Sequence, residues 1–303
     1  MESSLFTKEK VYEIAYSIKN GYERKELTDE EGKRILNSMN DLQIFCNICI
    51  YVCCIKSSIK ELKAFLLSLK FNQHSYIDFA NAQRLTLNML SHFYSFIKYC
   101  EGNVAQFKNQ IAPHTYDSFF SYRLFYNMRN FLTHSELGIT TFQTTLGKDG
   151  NYKTDALFDT SKLENDKNCN ASFKKELKEL KTKKVSILEN IDSFVEAINT
   201  ELFDIFKENT KKITENFVFL RNDIVDNKCK GDINCSLKDP NGIIHGPFKS
   251  INIFLMNFSN EVIYANELHK NPSRNEEVYL LFLFLSFVYF KEKDVGVESL
   301  YGV

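Results

Sequence analysis

The chain of 303 residues has no tryptophan, only 4 prolines and only 11 glycines. Because proline and glycine interrupt regular structure, this scarcity favours long helices over an all-β fold with many turns. Hydrophobic residues make up 44% of the chain and include 27 Phe and 15 Tyr, which is ample for a large core. We therefore expect a mainly α protein with one large domain or two smaller ones.

The chain also has no excess of positive charge, since its 38 Lys and Arg residues are balanced by 39 Asp and Glu residues. This balance excludes a broad, sequence-independent coat on DNA, and any RNA must bind a local basic patch. One local cluster consists of Lys174, Lys175, Lys178, Lys181, Lys183 and Lys184. Glu176 and Glu179 are interleaved with it, which is typical of a solvated helix face, although the cluster also suits an RNA backbone.

No apolar run reaches the ~20 residues that a membrane-spanning helix needs. Residues 42–55 and 278–290 are the longest candidates, and both are predicted to be buried helices. The start of the chain, Met1–Leu5, has neither the basic nor the apolar region of a secretory signal. We expect a cytoplasmic protein with no membrane partner. Membrane disruption through residues 278–290 is the weakest of the functional hypotheses.

The eight cysteines show no extracellular spacing pattern. Cys46, Cys49, Cys53 and Cys54 lie in one apolar helical run, where cysteine behaves as a small hydrophobic residue. Four ligands so close together on one helix cannot surround zinc tetrahedrally. The chain also lacks a glycine-rich nucleotide loop and a serine-nucleophile motif, so we expect neither a metal nor a cofactor.

The hydrophobic periodicity predicts helices over most of the chain. A short helix is expected over residues 8–19, ending near Gly21. A capping box at Thr28 and Glu31 then starts a helix that runs to about Leu69, with a break near Ser57 and Ser58. The later helices are expected over residues 76–99, from about 115 to Gly138, and over 172–183 and 186–226.

Two segments depart from the helical pattern. Residues 139–158 are rich in β-branched side chains around an Asp149-Gly150 turn signal, so we predict an inserted β-hairpin there. Residues 239–242, Asp-Pro-Asn-Gly, predict a turn between two short strands. Two final helices are expected near 250–270 and 273–292. These elements give an N-terminal helical segment (1–71), a helical core (72–228) and a helical C-terminal appendage (229–303).

The predicted helix that ends near Gly138 carries the polar residues of greatest chemical interest. At 100° per residue, Arg123, Asn127, Asn130 and His134 form one polar stripe, and Arg129 lies at its edge. The opposite arc faces the core and consists of Leu124, Phe125, Met128, Phe131 and Leu132. Either the flexible Arg129 stem swings toward the stripe, or a second copy of the helix completes the site.

Arginine binds a phosphate through a fixed fork, and histidine transfers protons near neutral pH. His134 lies in the last turn, where the helix dipole favours the imidazolium form. Two other Arg-Asn pairs, at 221–222 and 274–275, lack a trailing histidine. A polar stripe on an amphipathic helix usually only faces water, so the spacing of Arg129, Asn130 and His134 suggests a nucleic-acid site but does not decide between these two interpretations.

The run Arg129-Asn130-(three residues)-His134 at the end of a bundle helix resembles the signature of the HEPN superfamily. The wider run 121–134, with its preceding Tyr-Arg pair, resembles a bacterial branch of that superfamily, and residues 81–99 resemble its companion helix. The resemblance covers residues 75–226 and is strongest over about fifteen residues. It implies an α-helical bundle, usually a homodimer whose motif helices meet at the interface.

Many members of the superfamily are metal-independent endoribonucleases that act as toxins or anti-phage defence effectors. The resemblance thus implies an RNA substrate, an antitoxin or defence-system partner, and catalytic roles for Arg129, Asn130 and His134. Arg123, Tyr126 and Asn127 enter only from the helical wheel, as substrate-binding candidates. The alternative is a non-catalytic module that uses the same stripe to bind a nucleotide, an RNA or a partner protein.

Overall fold

The protein is described by a computed structural model at residues 11–19, 21–69, 74–134, 139–146 and 152–247. Most of these residues are helical, as the composition predicts, and two small antiparallel sheets accompany the helices. The chain divides into two compact units. Unit 1 contains residues 1–47 and 206–303, and unit 2 contains residues 48–205. Among the described residues, 11–47 therefore belong to the same unit as 206–247.

The described helices are α1 (Asp29–Ser68), α2 (Tyr76–Asn103), α3 (Ala112–Ser118), α4 (Phe120–His134), α5 (Ser161–Asn165), α6 (Ala171–Glu179) and α7 (Ile187–Val218). Two π-helical segments, Phe107–Ile111 and Phe219–Lys228, precede α3 and follow α7. The strands are β1 (Tyr12–Ile18), β2 (Gly21–Leu27), β3 (Ile139–Leu146), β4 (Tyr152–Asp159), β5 (Lys184–Ser186), β6 (Ser236–Lys238) and β7 (Ile244–His245).

Unit 1 contains a four-stranded sheet in the order β2-β1-β6-β7. The prediction of a helix over residues 8–19 is wrong, because β1 and β2 form an antiparallel hairpin there. Tyr12, Ile14 and Tyr16 are buried in alternation with more exposed residues, which is the period of a strand. Strand β6 also pairs with β1, so a distant segment stabilises the extended conformation.

Helix α1 starts where the capping box predicts. The Thr28 hydroxyl accepts from the Glu31 amide at 3.2 Å, and the Glu31 carboxylate accepts from the Thr28 amide at 3.2 Å. One turn later, Gly32 lies directly against the ring of Tyr12. A Cβ placed on Gly32 would lie 2.1 Å from Tyr12 Cγ, so only glycine allows this close approach.

The predicted break near Ser57 and Ser58 is absent, because α1 is continuous through both residues. Ser58 is buried, and its hydroxyl forms a hydrogen bond of 2.8 Å with His92 Nδ1. The most apolar 18 residues of α1 have a mean hydropathy of 1.6, and half of that stretch is buried. Such a helix is long and apolar enough to cross a bilayer, yet core helices of soluble proteins share these properties, so this is weak evidence.

Unit 2 has an aromatic core. The Phe93 ring packs edge-on against Tyr122 at 5.0 Å and against Phe194 at 4.8 Å, and Phe125 packs against Phe194 at 4.8 Å. The predicted β-hairpin is confirmed in β3 and β4, although its Asp149-Gly150 turn lies outside the described residues. Strand β5 adds a third strand that the sequence did not reveal.

The predicted turn at residues 239–242 is confirmed between β6 and β7. Its Asp239 carboxylate accepts from the Asn241 amide at 2.8 Å and the Ile243 amide at 2.9 Å, and Gly242 has a φ of 85°. The two helices expected near 250–270 and 273–292, and with them the helical C-terminal appendage, lie outside the described residues. So does the apolar run 278–290.

Candidate functional site

Helix α4 presents one apolar face to the core, as the helical wheel predicts. The residues on that face are buried: Leu124, Phe125, Met128, Phe131 and Leu132. The predicted start near Thr115 is refined, because Phe119 adopts an extended conformation between α3 and α4. The accessible edge of α4 consists of the half-buried residues Tyr126, Arg129 and Asn130.

Arg129 and Asn130 lie together on this accessible edge, and both are half-buried. Arg129 Nη1 donates a hydrogen bond to Asn130 Oδ1 at 3.1 Å. The Arg129 stem thus directs its guanidinium toward the side of the helix that carries Asn130. This geometry matches the expectation that the flexible stem swings toward the polar stripe.

The Arg129 guanidinium also stacks on an aromatic ring from the neighbouring helix. Its Cζ lies 3.3 Å from the centre of the Tyr94 ring on α2, well within the range of a cation–π interaction. Stacking on a ring and a hydrogen bond to Asn130 both restrict the orientation of the guanidinium. A planar fork of this kind matches the oxygens of a carboxylate or a phosphate.

His134 is the last residue of α4. Its backbone position agrees with the prediction, whereas its side chain lies outside the described part of the chain. Residues four apart on an α-helix lie on the same face, separated by about 6 Å along the axis. Helix geometry therefore places the backbone of His134 one turn beyond Asn130, on the same side of α4.

Two residues of α2 that the sequence analysis did not single out extend this site. They are Tyr94, under the Arg129 guanidinium, and Lys98, whose Nζ lies 5.5 Å from the centre of the same ring. Lys98 pairs with Glu101 at 2.6 Å, and this hydrogen bond raises the pKa of Lys98. The sequence shows that Tyr94 and Lys98 are four residues apart on one face of α2. It does not show that α4 packs against this face.

Arg123 does not join this group, and its predicted place on a free polar stripe is corrected. Its Nε and Nη2 form a bidentate pair with Glu176 of α6, at 2.9 and 2.8 Å. Its Nη1 donates to the carbonyl oxygens of Tyr116 and Asp117, near the end of α3. With a side chain only 14% exposed, Arg123 fastens α3 and α6 to α4.

Asn127 is corrected in the same way, because it is buried with 3% exposure. Its Nδ2 donates to the Arg123 carbonyl at 2.8 Å and to the Tyr116 hydroxyl at 3.3 Å. Tyr126 is half-buried, and its ring packs edge-on against Tyr116 at 5.9 Å. Of the three candidates from the helical wheel, only Tyr126 lies beside Arg129 and Asn130, one turn before them on α4.

A second polar group lies in the core of unit 2 and was not predicted. Glu201 of α7 is fully buried, and its Oε1 accepts a hydrogen bond from the Tyr122 hydroxyl at 2.8 Å. Among the described residues, Oε2 has no hydrogen-bond partner. Burial raises the pKa of Glu201 to about 8, so the carboxyl group is mostly protonated at neutral pH.

The lysine cluster contributes to the fold at its C-terminal end. Lys183 Nζ pairs with Glu164 at 2.6 Å and donates to the Leu177 carbonyl at 2.8 Å. Lys184 lies in β5 and donates to the Thr141 hydroxyl at 3.3 Å. These two residues are therefore bound to neighbouring elements, and the cluster is not one continuous helix face.

Within the described residues, no group of three His, Cys, Asp or Glu side chains is arranged to hold a metal ion. The α1 cysteines separate by burial, since Cys46 and Cys49 are buried and Cys53 is exposed. Burial raises the pKa of the Cys46 thiol to about 12, so Cys46 stays protonated like a small apolar side chain.

Comparison of the chain with protein-family models, with curated proteins and with solved structures gives no match. The function of the protein is therefore inferred from Arg129 and the residues around it.

Proposed function

We propose that this protein is a metal-independent endoribonuclease whose catalytic residues are Arg129, Asn130 and His134. The observation that carries the proposal is the position of the Arg129 guanidinium, which stacks on Tyr94 and donates to Asn130, the residue one turn before His134 in sequence. A guanidinium and an imidazole that act on the same phosphate would stabilise a phosphoryl transition state without a metal.

In the proposed reaction, the 2′-oxygen of the substrate attacks the adjacent phosphorus, and the bond from phosphorus to the 5′-oxygen breaks. The proton of the 2′-hydroxyl leaves with the new bond, and the 5′-oxygen gains a proton. His134 serves as the base for the first transfer or the acid for the second. The products are a 2′,3′-cyclic phosphate end and a 5′-hydroxyl end, and the reaction consumes no water.

Arg129 supports this step electrostatically, because its fork binds the charge that develops on the phosphorane oxygens. Asn130 accepts from Arg129 and fixes the direction of the guanidinium. DNA lacks the 2′-hydroxyl, so it is not a substrate in this mechanism. The proposal includes a role as a toxin or anti-phage defence effector, and the homodimer implied by the HEPN resemblance stays a prediction.

The test is incubation of the purified protein with total RNA in EDTA, beside the Arg129→Ala/His134→Ala variant. The matched control is Arg24→Ala/His114→Ala, which removes an exposed arginine of β2 and an exposed histidine of α3. We expect the wild type and the control to cut RNA and the first variant to leave it intact. Retained binding with no scission by the wild type would instead favour a non-catalytic RNA-binding module.

A further inference from the structure

The surface beside Arg129 carries a second cation and two aromatic rings. This patch, which we call the α2–α4 patch, consists of Tyr94, Lys98, Tyr126, Arg129 and Asn130. Arg129 and Lys98 both lie against the Tyr94 ring, with Cζ at 3.3 Å and Nζ at 5.5 Å from its centre. The two cations are thus neighbours, although they belong to different helices.

Lys98 lies at the surface of α2. Its side chain is 50% exposed and pairs with Glu101 at 2.6 Å. The pKa of Lys98 is raised, first by the hydrogen bond to Glu101 and then, more weakly, by the nearby hydroxyls of Tyr94 and Tyr126. An ion pair between surface residues three apart contributes little to the stability of the fold, so the fold does not depend strongly on Lys98.

We propose that Lys98, with the rings of Tyr94 and Tyr126, forms a binding subsite for the phosphate next to the one that Arg129 binds in single-stranded RNA. This inference rests on the proposed function for the identity of the ligand. Successive phosphates along one strand need successive cations, and the α2–α4 patch supplies two on one ring. Tyr94 and Tyr126 are half-buried, and aromatic rings beside a cationic track are the usual platform for unpaired bases.

Glu101 has a defined part in this subsite. Its carboxylate accepts a hydrogen bond of 2.6 Å from the Lys98 ammonium, which is the group that a phosphate oxygen would bind. An incoming strand therefore competes with Glu101 for the charge of Lys98. Removing the negative charge of Glu101 favours the RNA-bound state, and removing Lys98 disfavours it.

The experiment measures binding of a single-stranded RNA oligonucleotide to the full chain with the His134→Ala substitution, over a series of salt concentrations. Each phosphate neutralised contributes a slope of about −0.7 to a plot of log K against log salt for a single strand. We expect Lys98→Ala to weaken binding and to reduce the steepness of that slope by about 0.7. We expect Glu101→Gln to tighten binding severalfold.

The matched control is Lys33→Ala, which removes an exposed helical lysine whose acidic partner Asp29 also lies one turn away. This variant should leave the slope unchanged. Equal slopes for the Lys98→Ala and Lys33→Ala proteins, or no binding of RNA at all, would overturn the subsite. If the slope changes as expected but the protein with His134 does not cut RNA, the subsite stands and the proposed catalysis fails.

Discussion

The guanidinium carbon of Arg129 lies 3.3 Å from the centre of the Tyr94 ring, so a residue of α2 determines the orientation of the proposed catalytic arginine on α4. A cation–π contact of this kind contributes about 1–2 kcal/mol, which corresponds to roughly a 5- to 30-fold change in rate if it is lost in the transition state.

The first prediction follows from that contact. Tyr94→Leu should lower kcat of RNA cleavage by about tenfold, because Arg129 loses its stacking partner and its fixed orientation. Tyr94→Phe retains the ring and should stay within about threefold of the wild type. Steady-state kinetics on a defined RNA provide the measurement. Equal loss in both variants would show that the hydroxyl group, rather than the ring, is what matters.

The second prediction distinguishes the structural role of one α4 arginine, Arg123, from the proposed catalytic role of the other, Arg129. Arg123→Ala should reduce the free energy of unfolding by about 2–3 kcal/mol, because it leaves Glu176 and two carbonyl oxygens without their shared donor. Arg129→Ala should cost no more than about 1–2 kcal/mol of stability, the contribution of its contact with Tyr94, yet lower the cleavage rate by about 100-fold or more. Urea denaturation measures the first quantity for both proteins, and cleavage assays on the folded fractions measure the second.

The opposite result for this pair, with stability dependent on Arg129 and cleavage dependent on Arg123, would contradict the assignment of the site. Arg123→Lys is a further control, because lysine retains the charge but cannot form the bidentate pair with Glu176. It should recover only part of the stability lost in Arg123→Ala.

The third prediction concerns the buried carboxyl group of Glu201. Its pKa is raised from the usual 4.5 to about 8 in the folded protein, so the folded state holds an additional proton between these values. The stabilising contribution is fully present below pH 4.5 and is lost as the pH rises through 8. The free energy of unfolding should therefore fall, by an amount on the order of several kcal/mol, across this interval.

Glu201→Gln should remove this dependence, because an amide has the shape of the protonated carboxyl group and does not titrate. Its oxygen can still accept the hydrogen bond that the Tyr122 hydroxyl donates at 2.8 Å. Chemical denaturation at pH 5, 7 and 8.5 tests the prediction. A wild type and a Glu201→Gln variant with parallel pH profiles would show that Glu201 is ionised in the folded state.

The fourth prediction tests the packing of the hairpin on α1. Gly32→Ala should destabilise the protein by about 1–3 kcal/mol, although alanine favours helix, because the added methyl group collides with Tyr12. In the Tyr12→Ala background the same substitution should be neutral or stabilising. A double-mutant cycle by urea denaturation measures the coupling, and independent effects of the two changes would refute the close approach.

Local signals were sufficient to predict several elements of the structure. The capping box at Thr28, the helix beginning at Tyr76, the β3–β4 hairpin and the buried face of α4 each depend on residues near one another in sequence. The same is true of the turn after β6. In each case a cap, a turn residue or a hydrophobic period contains the information.

The errors occurred where distant residues determine the outcome. The hairpin of β1 and β2 is an exception, because the strand period of Tyr12, Ile14 and Tyr16 is a local signal that conflicts with the predicted helix. Only the pairing of β1 with β6 joins segments more than 200 residues apart. Arg123 and Asn127 were predicted to be exposed polar residues, whereas contacts with α6 and α3 cover them in the folded protein. Tyr94 and Lys98 were missed for the same reason, since only the packing of α2 on α4 brings them to Arg129.

The most direct measurement uses a short single-stranded RNA with one mapped cleavage site, cut in EDTA by the full-length protein. The unmodified strand should give 2′,3′-cyclic phosphate and 5′-hydroxyl ends with the wild type and remain intact with Arg129→Ala/His134→Ala. The same strand with one 2′-deoxyribose on the 5′ side of that linkage should not be cut there. Scission at the deoxy position, 5′-phosphate ends, or equal cutting by the variant would contradict catalysis by these residues.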